Sequence, residues 1–233
     1  MLPIASPGQP LFFWSDLWPP LLLSLRVALL ATFIASIVAI PLAYLLARKR
    51  FYGRSLIELL VTMPLVLPPT VVGFFLVVMF GAQGWIGKAI RAITGGTLIF
   101  HWTGAVIASA VVALPLLVLP IKAAFASVDR ELEDVSRLLG AGPITIFWKV
   151  SLPLARRGIS SGLLLGFARS LGEFGATVMV LGDIPGRQTL PISVYADYVA
   201  GDMARAWPAV VALTGLSFLV LLIYNRLPIS WQE

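Results

Sequence analysis

The chain is expected to fold as an all-α polytopic membrane protein with about five kinked spanning helices. Three observations lead there. Of its 233 residues, 59% are hydrophobic and only 12% charged, with a mean hydropathy of +0.94, whereas a soluble domain carries roughly a quarter charged residues. Several apolar runs approach or exceed the roughly 20 residues that a helix needs to cross a bilayer. Lysine and arginine are spread unevenly over the segments between those runs. There are no cysteines, so disulfides, thiolate nucleophiles and cysteine-ligated metals are excluded. The net charge of +6 raises nucleic acid as a partner, but its distribution follows membrane topology and argues against one.

Residues 1–20, MLPIASPGQPLFFWSDLWPP, are rich in proline and aromatic side chains. With no basic n-region and no small-residue cleavage site, they read as an interfacial arm with Trp14 and Trp18 at headgroup level, not as a signal peptide. Spans are expected at about 21–47, 57–80, 104–125, 158–181 and 207–226, leaving a short tail at 227–233. Arg26 lies near the start of the first, within snorkelling reach of the interface. Pro41, Pro64, Pro68, Pro69, Pro115 and Pro120 predict kinks, tolerated where neighbouring helices or water satisfy the freed carbonyls. No internal repeat of the kind many transporters carry is evident, and five spans are few for a pathway, so a homodimer is expected.

One side of this arrangement holds Arg48, Lys49, Arg50 and Arg54, the basic residues from Lys122 to Arg157, and Arg226, eleven in all; the other holds four, Lys88, Arg91, Arg187 and Arg205. The positive-inside rule places the N-terminus outside and the C-terminus in the cytoplasm. The long cytoplasmic loop, about 127–155, is patterned. DRELEDVSRLL has Asp129 as a cap, an acidic first turn (Glu131, Glu133, Asp134) and apolar positions Leu132, Val135, Leu138 and Leu139, the signature of an amphipathic helix. Gly140 stops it, and Pro143 opens a second short helix with Ile144, Ile146, Phe147 and Val150 on one side, ending at Pro153. On pattern alone, a hairpin lying on lipid and a knob that docks on a partner are both open.

The spacing of this loop resembles the EAA loop of ABC importer permeases, E-A-A-x3-G-x9-I-x-L-P. Counted from Gly140, the triplet is Asp134, Val135, Ser136; Val150, Leu152 and Pro153 match I-x-L-P. The triplet is a degenerate match and the spacing is complete. The resemblance implies a type I (MetI-like) importer transmembrane domain over 21–226, whose loop residues Asp134, Gly140, Ala141, Phe147, Val150, Leu152 and Pro153 couple it to a separate cytoplasmic ATPase dimer. Gly140 would allow close approach and Phe147 would be an apolar docking anchor. The outer face would meet a periplasmic or lipid-anchored binding protein in the bacterial inner membrane.

MPLVLPPTVVGFFL (63–76) and GFARSLGEFGATVMVLGDIPGRQTLPISVY (166–195) resemble molybdate permeases of the ModB type, with tungstate and sulfate/thiosulfate permeases as near relatives. That implies a translocated oxyanion and no cofactor. Arg169, Ser170, Gly172, Glu173, Gly175, Thr177, Pro68 and Pro69 are the candidate pathway residues, although small residues there serve equally to pack helices. Arg169 and Glu173, four apart, are expected to pair and turn away from lipid.

Other chemistries fit poorly. AQGWIGKA (82–89) lacks the first glycine and the Ser/Thr of a phosphate loop, so the chain is not itself the ATPase. His101, the only histidine, reads as an interfacial residue beside Trp102, and no Ser/His/Asp or metal cluster can be assembled. The competing class is an ion-coupled secondary transporter with Glu173 as the coupling carboxylate.

Overall fold

The computed structural model describes residues 14–226. The expected tail at 227–233, and the arm up to residue 13, lie outside the described residues. The helices, in chain order, are α1 (Trp14–Arg48), α2 (Arg54–Val66), α3 (Pro69–Phe80), α4 (Trp85–Thr94), α5 (Trp102–Ser127), α6 (Arg130–Leu138), α7 (Pro143–Ile146), α8 (Leu152–Leu154), α9 (Arg156–Leu171), α10 (Gly175–Leu181), α11 (Leu190–Val199) and α12 (Met203–Arg226), with a π-helical turn, Phe147–Ser151, between α7 and α8. α1, α5 and α12 are each long and apolar enough to cross a membrane; α2 with α3, and α9 with α10, make five spans if each bent pair is counted as one.

The first helix begins earlier than the apolar run suggests. It starts at Trp14 rather than residue 21, so residues 14–20 belong to α1 and not to a separate arm. Asp16 in its first turn and Arg48 in its last suit the helix dipole at both ends. The prolines act in two ways. Pro41, Pro64, Pro115 and Pro120 lie inside helices. Pro68 and Pro69 break one outright, with a bend of 114° between α2 and α3. A residue preceding proline is pushed out of the helical region, and two successive prolines do this twice: Leu67 and Pro68 are both extended, with ψ of 141° and 132°.

Packing follows membrane logic, in which small residues face protein and large ones face lipid. Along α1, Ala31, Ala35, Ala39 and Ala43 are buried at four-residue intervals, while Leu29, Phe33 and Ile37 are exposed. α5 is the central helix, contacting α1, α2, α3, α9 and α10. α9 meets it through Gly158, Gly162 and Gly166; a Cβ on these would fall 2.3 Å from Ala124 Cβ, 2.8 Å from Ile121 Cγ1 and 2.6 Å from Leu117 Cγ. At the other end, Arg26 stacks over the Trp102 ring at 4.3 Å, so its charge is held by an aromatic face rather than reaching for the interface alone. His101 caps α5 locally, with Nδ1 2.8 Å from Thr103 Oγ1. α4 and α11, which the hydropathy pattern does not anticipate, occupy loops between spans.

Candidate functional site

The two broken spans meet at their breaks. α9 ends at Leu171 and α10 starts at Gly175, turned by 56°. Gly175 lies directly on the start of α3: a Cβ there would sit 2.9 Å from Pro69 Cβ and 3.2 Å from the Thr70 nitrogen. The Leu67–Pro69 break and the Gly172–Phe174 break therefore share one junction inside the membrane span. Irregular backbone at membrane depth is tolerated where it is buried in protein or lines a water-filled cavity, and much of this junction is buried in protein. Pro68 and Gly172 are exposed, while Glu173, Ala176 and Thr177 are buried.

Glu173 holds the second break together. Its Oε1 accepts the Ala176 N–H at 2.7 Å, capping α10, and its Oε2 lies 2.7 Å from Arg169 Nη1 at the end of α9, an ion-pair distance off the hydrogen-bond direction. The Glu173 side chain is 1% exposed and that of Arg169 27%. The expected pair is present, but Glu173 sits in the break and not on a continuous helical face. Thr177 Oγ1 donates to the Glu173 and Phe174 carbonyls at 2.9 Å each, so its hydroxyl is used within the chain. Ser170 Oγ is buried with no hydrogen-bond partner among the described residues. Beside the break lies an apolar cavity of about 560 Å³ lined by Phe174, Tyr195, Tyr198, Met203 and Trp207.

The loop at 127–155 is built as the pattern suggests. Asp129 caps α6 by accepting the Glu131 N–H at 2.9 Å. Gly140, at φ +85°, ends it with the Ala141 N–H on the Ser136 carbonyl and its own on that of Arg137, both at 3.0 Å, the Schellman arrangement that requires a left-handed residue. Leu132, Val135, Leu138, Leu139, Ile144 and Trp148 form an exposed apolar ridge. The inner face carries Glu133, Ile146 and Ser151. Asp134 is exposed and pairs with Arg137. Val150 and Leu152 are half-buried and Pro153 is exposed.

Phe147 differs from its expected place as an outward anchor. It packs inward on Tyr44 and Phe125, with ring centroids 4.9 and 6.1 Å away, and Trp148 takes the outward position at 61% exposure. The physical reason is helical rotation: Ile146 is buried against the body with Phe147 beside it, and Trp148, about 100° further round, is carried outward.

A buried polar node lies under the loop. Arg48 Nη2 donates to the Val128 carbonyl at 2.7 Å, and its Nε lies 3.0 Å from Glu133 Oε1, off the hydrogen-bond axis. Ser151 Oγ donates to the same Oε1 at 2.7 Å. The side chains of Arg48 and Glu133 are 6% and 3% exposed. Sequence reasoning missed this node, because Arg48 reads as one of several topogenic cations and Glu133 as part of a solvated acidic turn. Among the described residues, no group of three or more His, Cys, Asp or Glu side chains is placed to hold a metal ion.

Residues 39–228 match the family described as "Binding-protein-dependent transport system inner membrane component". The chain is 46% identical over 175 residues to the molybdenum transport system permease protein ModB of Haemophilus influenzae, covering 75% of this chain and 76% of that one. It is 45% identical over 179 residues to ModB of Escherichia coli (strain K12), covering 76% and 78%. Among solved structures, a chain of the MetNI methionine ABC transporter in inward-facing conformations superposes with a TM-score of 0.67 at 21% identity, over 91% of this chain and 94% of that one; at that identity the likeness is one of fold.

Proposed function

The chain belongs to the binding-protein-dependent transport system inner membrane component family, and within it to the molybdenum permeases, and from that premise we propose that it is the permease subunit of an ATP-driven molybdate importer, working as a homodimer. It is a multi-pass membrane protein with a type I, MetI-like transmembrane fold. In this reading 21–226 is the permease domain, the N-terminus is outside, a binding protein delivers the oxyanion there, and a separate ATPase dimer docks on the cytoplasmic loop.

The observation that carries the reading is the exposed ridge of Leu132, Val135, Leu138, Leu139, Ile144 and Trp148, on the loop that the basic residues assign to the cytoplasm. Large apolar side chains presented together outside the spans favour a protein partner. The junction of the two breaks is the proposed place where the pathway is gated, with Pro68, Pro69, Arg169, Ser170, Gly172, Glu173, Gly175 and Thr177 around it. Tight binding is not needed there: a site that holds a dianion firmly slows its release. Glu173 is engaged by Arg169 and the Ala176 N–H, which disfavours its use as the carboxylate that couples an ion gradient to transport.

Reconstitution with the cognate ATPase and binding protein tests this. Molybdate uptake should require ATP and both partners, and tungstate and sulfate competition ranks the substrates. Uptake driven by an ion gradient without ATP would overturn the reading in favour of a secondary transporter.

A further inference from the structure

The loop is joined covalently to α5 and α9, yet its buried polar attachment runs to α1. Arg48, the last residue of α1, reaches both Val128 at the start of the loop and Glu133 on α6. Glu133 Oε1 also receives Ser151 from the far end of the loop. One carboxylate thus gathers three segments. One turn back on α1, Tyr44 stands edge-on to Phe125 of α5 and Phe147 of the loop, at 5.2 and 4.9 Å. Two attachments a turn apart fix both the position and the tilt of the α1 end against the loop. Lys49 and Arg50, the next basic residues, are exposed, so burial of the Arg48 side chain is not a general property of this basic segment. Glu133 Oε2 also lies 3.6 Å from Arg137 Nη2 on its own helix, an exposed partner, whereas Arg48 separated from Glu133 would be a buried charge without a counter-ion, which is costly.

We propose that Arg48 and Glu133 are positioning residues that carry displacement of the cytoplasmic loop into α1, so that the loop, α1 and α5 move as one body when the ATPase acts. This rests on the proposed docking of the ATPase. α12, which meets α1, α9 and α11 and among the described residues has no ion pair to the loop, is the reference against which that body moves.

The test uses the assembled transporter in nanodiscs. ATP-driven molybdate uptake by the otherwise unaltered protein is measured first; its absence overturns the transport reading itself. Spin labels at Lys49→Cys and Arg130→Cys, both exposed and outside the docking ridge, report the α1–loop distance, and labels at Arg130→Cys and Phe218→Cys report loop to α12. The first distance should stay the same between nucleotide-free and ATP-trapped states while the second changes. A first distance that shifts with nucleotide overturns the proposal, without needing any variant of the pair. In Glu133→Gln, molybdate transported per ATP hydrolysed should fall roughly tenfold, within the usual span of coupling energies, with Arg48→Lys intermediate. An unchanged ratio in Glu133→Gln would likewise overturn it, whereas a purely structural role would lower protein yield and leave the ratio intact.

Discussion

Glu173 and Arg169 face each other across a helix break, 2.7 Å apart, with Glu173 fully buried and Arg169 a quarter exposed. The carboxylate also caps α10, so it secures the angle between two half-helices. Glu173→Gln keeps an acceptor for the Ala176 N–H and strands Arg169 without a counter-ion. Breaking a fully buried pair costs about 3–5 kcal/mol; the partial exposure of Arg169 lowers the expected loss to about 1–3 kcal/mol, read from thermal unfolding of the purified protein. Neutralising both in Arg169→Met/Glu173→Gln should recover part of that stability and leave the ratio of molybdate to sulfate uptake unchanged. A switch in that ratio would place Arg169 on the anion instead.

The α5–α9 contact predicts a position-specific steric effect. Gly162→Val puts methyl groups into Ile121 Cγ1 and the Leu117 carbonyl, 2.8 and 3.2 Å from the new Cβ. Overpacking of this kind costs about 1–3 kcal/mol. Gly215→Val on α12 meets nothing within 4 Å and should leave the unfolding temperature unchanged or raised. Equal losses in the two variants would contradict the packing described.

Phe147 and Trp148 are neighbours with opposite expected phenotypes. Phe147→Ala removes a half-buried ring from the Tyr44–Phe125 contact and should destabilise the protein by up to about 3 kcal/mol, the lower end for a fully buried aromatic. Trp148→Ala removes a ring that is 61% exposed; unfolding should be little changed, and binding of the cognate ATPase should weaken by at least about 2 kcal/mol if Trp148 is a central anchor. Titration calorimetry with the purified ATPase separates the two.

Gly140 is left-handed, and a Cβ there meets nothing within 4 Å in this chain. Backbone strain alone should cost about 1–2 kcal/mol in Gly140→Ala, and less in Gly140→Asn, because asparagine tolerates this conformation. If an ATPase also approaches Gly140 closely, Gly140→Asn and Gly140→Leu should both uncouple ATP hydrolysis from uptake while inserting normally in the membrane. Normal coupling in Gly140→Leu would remove the close-approach role.

Much of the frame was legible from local pattern. Apolar runs located the spans, Asp129 and Gly140 bounded α6, and the four-residue spacing of Arg169 and Glu173 pointed to their pairing. The small-residue ladders, Ala31 to Ala43 on α1 and Gly158 to Gly166 on α9, were readable signals that the hydropathy count passed over, because a run averaged for apolarity hides which side is small. The bend at Pro68–Pro69 was visible as a kink; its size was not, since two successive prolines exclude helix without specifying where the chain goes next.

The sequence by itself determined the class of the protein, the number and place of its apolar runs and the spacing of its loop at 127–155, because these depend on solvent transfer and on interactions a few residues long. Tertiary structure alone decided that the two breaks share one junction, that Phe147 turns inward while Trp148 turns out, and that Arg48 finds Glu133. Those outcomes depend on where distant segments pack in three dimensions, and a buried charge selects its partner by proximity after packing, which no local pattern encodes.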